Sequence, residues 1–174
     1  MPFTLTFEIA GEEQIKRSFS RFADNVSNAT EPFKEISEDF KKIEQKQFDS
    51  EGSYGGQGWA KLSTNYAEWK AKNYPGAKIL VQSGLMKGSL MGENPYYLEN
   101  IQPLYMEVGT RIPWAIYHQT GGGKLPQRKI INLTEADKTR WVKIFQAWLV
   151  REENKQWAGL MPQISAGEKA IGSI

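Results

Sequence analysis

A chain of 174 residues is long enough for one hydrophobic core, and its 40% hydrophobic and 24% charged residues are typical of a globular protein. It has no cysteine, which excludes disulfides, thiolate metal sites and cysteine nucleophiles. Its net charge of +2 is too small to indicate nucleic acid binding by bulk electrostatics, and a local basic patch stays open. No segment resembles a signal peptide or a membrane span, so we expect a soluble protein that is used in the cytoplasm or built into an assembly made there.

The first third of the chain predicts one strand and two helices. Residues 3–9 alternate apolar and polar side chains, which is the period of a strand with one buried face. Over residues 15–26 the apolar side chains recur every three or four positions, which predicts an amphipathic helix. A second helix is predicted to begin with Thr30 as its N-cap. Its buried stripe consists of Phe33, Ile36, Phe40 and Ile43.

Residues 49–58 are rich in glycine and polar side chains, which is typical of a mobile surface loop. The alternative, a phosphate-binding loop, requires Lys and then Ser or Thr after the last glycine, whereas Gly58 is followed by Trp59. Ser63 is predicted to cap a short helix that follows this loop.

Residues 79–81 predict a short buried run. It is followed by a turn at Ser83 and Gly84, and then by a short amphipathic segment over residues 85–90.

A β-hairpin is predicted next, because the runs 96–101 and 104–108 flank the pair Gln102-Pro103. We expect this hairpin to close with a turn at Gly109 and Thr110.

Pro113 is expected at the first position of a short helix that ends at the glycine run 121–123. Residues 129–133 predict a final short strand, and Thr134 is predicted to cap the last helix. The apolar face of that helix consists of Trp141, Ile144, Phe145, Trp148 and Leu149.

The order of these elements predicts an α+β fold: a small, mostly antiparallel sheet packed by two or three longer amphipathic helices, with a C-terminal arm. Residues 1–150 are expected to form a single domain. After Arg151 the apolar periodicity is lost, so residues 151–174 are predicted to be an extension. The extension is either an arm that packs on a partner or a disordered tail.

His118, the only histidine, lies beside the glycine run and is the natural candidate for catalysis. General-base catalysis needs a nucleophile or an orienting carboxylate, and Glu107 and Glu135 are distant in sequence. A zinc site would need ligands that the chain does not supply locally. The glycines follow a helix, where they end it, and phosphate-binding glycines precede one. We therefore predict no catalytic residue, metal or cofactor, and a His118 side chain bonded to a backbone group.

Five short motifs occur in the order seen in the phage virion morphogenesis family, the tail-completion or neck proteins of Mu-like and related tailed phages. They are a Trp and a Leu-Ser ahead of a helix, an I-L-V-x-S-G-x-L turn, a V-G-T, an aromatic-Ala-x-x-His-Gln-x-Gly-Gly helix and a Pro-x-Arg. The positions that carry the resemblance include Trp59, Leu62, Ser83, Gly84, Gly109, Trp114, His118, Gly121, Gly122, Pro126 and Arg128. The resemblance covers residues 12–150; one departure is Lys129-Ile130-Ile131-Asn132, where the family commonly has an aromatic-Leu-Gly.

The resemblance implies a non-enzymatic structural protein of the virion, needed late in assembly. It implies a neck or tail-completion protein whose copies form a ring of about six around the DNA channel at the head–tail junction. The expected partners are other copies of itself and other neck, connector or tail-terminator proteins, with no membrane. We expect the protein in the host cytoplasm during assembly and then in the virion. The alternatives are a tail terminator or head-side adaptor capping the tail tube, and an enzyme or DNA-binding module built around His118.

Four cations occur on either side of the glycine run 121–123: Arg111, Lys124, Arg128 and Lys129. We expect them to solvate a loop. The alternative is a modest basic edge that makes weak, non-specific contact with passing genomic DNA.

Overall fold

The computed structural model describes the backbone of residues 12–171 and most side chains of residues 16–158. Within these residues the chain forms six helices and a two-stranded antiparallel sheet, which confirms the α+β class. The elements are α1 Glu12–Val26, α2 Thr30–Asp49, α3 Thr64–Asn73, α4 Leu85–Met91, β1 Tyr97–Gln102, β2 Tyr105–Thr110, α5 Ala115–Thr120 and α6 Glu135–Ile171. The strand predicted over residues 3–9 lies outside the described residues.

Helix α2 occupies the centre of the fold and packs against α4, α6 and both strands. Its predicted stripe is confirmed for Ile36, Phe40 and Ile43, which are buried. Phe33 is half-buried and meets Phe145 of α6 edge to face at 5.2 Å. Burying one apolar stripe per helix is what the three- and four-residue spacing requires.

The N-terminus of α2 differs from the prediction that Thr30 is the N-cap. Ala29 occupies that position, and Thr30 is the first helical residue. The side chain of Asn28 accepts the backbone N–H of Thr30 at 3.1 Å, so the polar residue one position earlier satisfies the free donor. The backbone N–H of Ala29 donates to the carbonyl of Pro103 at 2.7 Å, which joins the start of α2 to the hairpin turn.

The hairpin forms, but its turn lies at Pro103 and Leu104, and the predicted turn at Gly109 and Thr110 is wrong. Both of these residues belong to β2, where Thr110 pairs with Tyr97. Backbone pairing continues past them, since the N–H of Arg111 donates to the carbonyl of Tyr96 at 2.7 Å.

Three short features between α2 and the hairpin match the expectations in part. Residues 79–81 are half-buried against the core without forming a strand. The turn before α4 is confirmed at Gly84, which adopts a left-handed φ of 78°. Ser63 holds the N-cap position of α3, but its side chain makes no capping hydrogen bond. Helix α5 begins at Ala115, two residues after Pro113.

Residues 49–58 are tied to the core, which corrects their interpretation as a loose surface connection. The Tyr54 hydroxyl donates to Asp137 of α6 at 2.7 Å. The backbone N–H of Gly55 donates to the Gln47 side chain at 2.9 Å. Trp59, at the end of this segment, is buried edge to face against Phe48 at 5.2 Å.

The strand predicted over residues 129–133 does not form. Among the described residues no strand pairs with this segment, and side chains take several of its backbone hydrogen bonds. The Gln119 carbonyl oxygen accepts the N–H groups of Ile130 at 2.9 Å and Ile131 at 3.0 Å, and its amide donates to the Ile131 carbonyl at 2.8 Å. The Lys129 carbonyl accepts from Gln47 at 3.0 Å and from the Trp59 indole at 2.8 Å. The apolar pattern of residues 129–133 was therefore wrongly assigned to a strand, because side chains in the described part of the chain take the backbone hydrogen bonds that a partner strand would make.

Helix α6 begins with the predicted cap. The N–H of Asp137 donates to the Thr134 hydroxyl at 3.2 Å, and Asp137 accepts the N–H of Thr134 at 2.9 Å. This reciprocal pair satisfies two free donors at the helix start.

The helix does not end near Arg151, as the loss of periodicity suggested, but continues to Ile171. The predicted extension over residues 151–174 therefore begins inside a continuous helix. Within the described residues, no helix is both long and apolar enough to cross a lipid bilayer.

An ionic network joins α2 to α6. The Arg140 guanidinium donates to Asp39 at 2.9 and 2.7 Å and to Asp137 at 2.6 Å. The Trp141 indole also donates to Asp39, at 2.8 Å. Burial by itself would raise the pKa of Asp137, but the hydrogen bonds from Thr134, Tyr54 and Arg140 outweigh it and lower this pKa to about 2. The contribution of the Asp137 hydrogen bonds to stability is therefore complete above about pH 3.8 and is lost as the pH falls towards 2.

Glu44, on the buried face of α2, supplies a test of this packing. Its two carboxyl oxygens are buried and have no hydrogen-bond partner in the described part of the chain, and burial raises its pKa to about 8 from an ordinary 4.5. The folded state therefore holds this proton more tightly than the unfolded chain, so the contribution to stability is complete below about pH 4.5 and is lost as the pH rises towards 8.

We expect Glu44→Gln, which removes the titration and keeps the shape, to raise the free energy of unfolding by roughly 2–4 kcal/mol near pH 8 and by much less near pH 4.5. Urea denaturation at the two pH values measures the difference. Glu35→Gln, on the exposed face of the same helix, is the control and should leave the pH profile unchanged. A gain for Glu44→Gln that is equal at both pH values would contradict the assignment.

Candidate functional site

One cleft of ≈ 790 Å³ opens on the surface and is lined by four parts of the chain. The first is residues 61–70, which lead into α3 and include most of it. The second is residues 80–86, which lead into α4. The other two are Trp114 with His118, at the start of α5 and within it, and the loop 124–128. These parts are distant in sequence, and the core under the cleft brings them together: Met86, Ala115, Trp59 and Ile130 belong to one buried cluster.

Most of the predicted site residues meet at this cleft. Those that line it are Leu62, Ser83, Gly84, Trp114, His118, Pro126 and Arg128. The other four lie elsewhere: Trp59 is in the core, Gly109 is in β2, and Gly121 and Gly122 follow α5. The sequence motifs therefore mark one surface and the residues that support it.

Gly121 shows why glycine is needed next to the cleft. It ends α5 with a φ of 72°, a conformation that other residues adopt at a cost in free energy. A β-carbon at this position would also lie 3.0 Å from the backbone nitrogen of Gln127. The glycine thus lets the loop 124–128 return against the end of α5, as predicted for a helix stop.

Arg128 is the residue that holds this loop in place. It is buried, and its guanidinium donates from Nε to the carbonyl of Ala60 at 2.8 Å and from Nη2 to the carbonyl of Lys61 at 3.0 Å. Its backbone N–H donates to the carbonyl of His118 at 2.8 Å. Burial lowers the pKa of Arg128, although a guanidinium stays charged at neutral pH. Arg128 is therefore neither a solvent-exposed loop residue nor part of an exposed basic edge. Both interpretations made from the sequence are wrong for this residue.

The four predicted basic residues do not share one edge. Lys124 and Arg128 line the cleft, whereas Arg111 and Lys129 do not. The Arg111 guanidinium donates to the carbonyl of Tyr97 at 2.6 Å, beside the hairpin.

His118 lines the cleft with its ring half-buried. The predicted side-chain bond to a backbone group is wrong: Nδ1 is buried and has no hydrogen-bond partner among the described residues. The backbone carbonyl of His118 makes the loop contact instead. Burial, and then the positive charge of Arg128, lower the pKa of His118, so the ring is neutral at neutral pH.

The sequence motifs did not include three cleft residues of α3 and of the segment that precedes it. Lys61, Tyr66 and Lys70 line the cleft. Tyr66 and Lys70 are four residues apart and so share one helix face, a spacing that was available in the sequence. Lys70 is only 4% exposed and donates from Nζ to the carbonyl of Lys78 at 2.5 Å. Burial lowers its pKa and outweighs the attraction of Glu51.

The charge of the lining is one-sided. Among the described residues, four cations line the cleft, Lys61, Lys70, Lys124 and Arg128, and no carboxylate does. Half-exposed apolar side chains accompany them: Tyr66 at 42%, Trp114 at 48% and Leu125 at 47%. Nor does any group of three His, Asp or Glu side chains in the described residues form a metal site. The cleft is therefore suited to bind an anionic group that lies next to an apolar group.

The role of Arg128 predicts a stability change. Arg128→Met removes two hydrogen bonds made by a charged side chain that is only 6% exposed, so we expect the free energy of unfolding to fall by about 2 kcal/mol. Urea denaturation followed by tryptophan fluorescence measures it. Lys129→Met, one residue further and exposed, is the matched control and should change stability by no more than about 0.5 kcal/mol. Equal effects would show that the two carbonyls do not depend on Arg128.

Comparison with known proteins adds one finding. A profile described as the phage virion morphogenesis family matches residues 11–150, which include the whole cleft. No curated protein and no solved structure matches the chain.

Proposed function

Because the chain belongs to the phage virion morphogenesis family, we propose that it is a tail-completion or neck protein whose copies form a ring at the head–tail junction, around the DNA channel. The observation that carries the proposal is the family match over residues 11–150, which gives the chain a structural role in phage assembly. The position in the virion and the ring are the parts that we add.

The distribution of exposed apolar side chains supports a ring. Such side chains project from the hairpin turn, from α5 and from α6, elements that do not pack extensively on one another. They include Leu104 at 72%, Ile116 at 54%, Tyr117 at 58%, Val142 at 56% and Val150 at 54% exposure. A ring buries two different surfaces of each subunit, because its contacts are head to tail. Separate apolar surfaces fit that requirement better than a single self-complementary patch does.

The charge of the protein suits a channel that DNA passes through. With 22 basic and 20 acidic residues the chain attracts DNA weakly in bulk, and the burial of Arg128 removes one cation from the surface. Few phosphate contacts mean low non-specific affinity. Weak contact leaves the genome free to slide.

Electron microscopy of particles made without the protein tests its position. If it completes the neck, infections that lack it should accumulate filled heads and separate tails of normal length, and added purified protein should restore joining. Tails of uncontrolled length would identify a terminator instead. Normal, infectious particles would overturn an assembly role altogether.

Native mass spectrometry tests the ring separately. We expect a closed oligomer of about six copies, or a monomer that yields such a ring once it is crosslinked within virions. Leu104→Ser with Ile116→Ser should weaken the oligomer because both remove exposed apolar contacts. A stable dimer with twofold symmetry would contradict the ring.

A further inference from the structure

We propose that the cleft binds an acidic segment of a neighbouring virion protein, with carboxylates next to Lys61 and Lys124 and an apolar side chain against Trp114 and Leu125. That the partner is a virion protein rests on the proposed function. The chemistry of the bound segment follows from the cleft itself.

The first support is the imbalance of charge. Among the described residues, none of the four lining cations makes an ion pair with a carboxylate. Elsewhere on the surface lysines and arginines pair readily, as Lys87 does with Asp49 at 3.0 Å. A chain with 20 acidic residues has thus left this one concave surface without any. Complementary charge on a partner is the arrangement that favours correct pairing and excludes other surfaces.

The second support is the depth of two of the charges. Lys70 is 4% and Arg128 6% exposed, and the side-chain hydrogen bonds of both go to backbone carbonyls. Charged side chains are rarely buried to this extent without a paired charge. A carboxylate in the cleft would supply the counter-charge in a partly desolvated setting, where attraction is stronger than in water.

The third support is apolar and separates a polypeptide from nucleic acid. Trp114 and Leu125 are each about half exposed in the rim, and they can hold an aliphatic or aromatic side chain. One neighbour on the rim, Tyr66, already stacks on Trp69 at 5.5 Å with planes 20° apart, so that face of its ring is not available to a base. Of the four lining cations, only the side chains of Lys61 and Lys124 make no hydrogen bond or ion pair with another described residue, and two phosphate contacts give DNA little affinity. A segment that combines carboxylates with apolar side chains uses the whole lining.

Fluorescence anisotropy with a labelled probe tests the proposal on the full chain. The probe is a glutamate-rich peptide that contains leucines, and its control is the same peptide with glutamine in place of each glutamate. We expect the acidic peptide to bind and the neutral one to bind at least about tenfold more weakly.

Two double variants and one single variant then test whether the peptide binds in the cleft. Lys61→Glu with Lys124→Glu should weaken binding by about tenfold or more. Lys42→Glu with Lys143→Glu, a matched charge reversal at exposed positions on α2 and α6, should leave it unchanged. Trp114→Ser should weaken binding even though the charge is kept. All of these side chains are exposed, so the variants should fold, which circular dichroism checks.

Several outcomes would overturn the proposal. One is equal binding of the acidic and neutral peptides. Another is loss of binding in both double variants alike. A third is a labelled DNA duplex or single strand that binds the cleft more tightly than the peptide and loses affinity with Lys61→Glu and Lys124→Glu.

Native mass spectrometry of the same variants keeps this proposal apart from the proposed function. Oligomers that persist while the acidic peptide is lost support a cleft that serves another protein. Loss of self-association with Lys61→Glu and Lys124→Glu would mean that a second copy of this chain occupies the cleft. That result would overturn the partner proposed here. It would not contradict the proposed ring.

Discussion

The cleft depends on a stretch of backbone, residues 128–131, whose hydrogen bonds within the described part of the chain go mainly to side chains. Residues 128–131 are held by the side chains of Gln47, Trp59 and Gln119, while Arg128 reaches back to the carbonyls of residues 60 and 61. Backbone donors and acceptors withdrawn from water must be paired. Here the N–H of Arg128 donates to the backbone carbonyl of His118, and the other pairings are made by side chains from other parts of the chain, so the segment is fixed only when those parts are in place.

This arrangement couples the core to the surface. Trp59 packs in the buried cluster and at the same time donates to the Lys129 carbonyl, so one residue belongs to both. The loop over residues 49–58 is held at the other side by Tyr54 and the Asp137–Arg140 network of α6. The result is a rigid rim around a cleft whose buried cations, Lys70 and Arg128, donate to backbone carbonyls. Rigid support of this kind suits a surface that must present fixed charges to a partner.

Helix periodicity was the most dependable guide in the sequence, because a buried stripe every three or four residues leaves few other structures open. It placed the starts of α2, α4 and α6 within a residue or two of their observed positions, whereas α1 begins three residues before the predicted start at residue 15. The strand over residues 129–133 was wrong because an apolar run does not reveal whether its backbone partner is a strand or the amide of Gln119. The turn at Gly109 was wrong because glycine also occurs inside strands. The helix beyond Arg151 was missed because a helix can continue where its apolar stripe does not.

The sequence by itself determined the α+β class, the cap at Thr134, the helix stop at Gly121 and, through five ordered motifs, the family. These features depend on local rules or on short patterns that neighbouring residues carry. Only the tertiary structure decided that Arg128 is a buried anchor, that Lys61, Lys70 and Lys124 meet around one cleft, and that no carboxylate lines it. Burial and charge balance belong to groups of residues brought together from distant positions, and a sequence read along its length contains no measure of that distance.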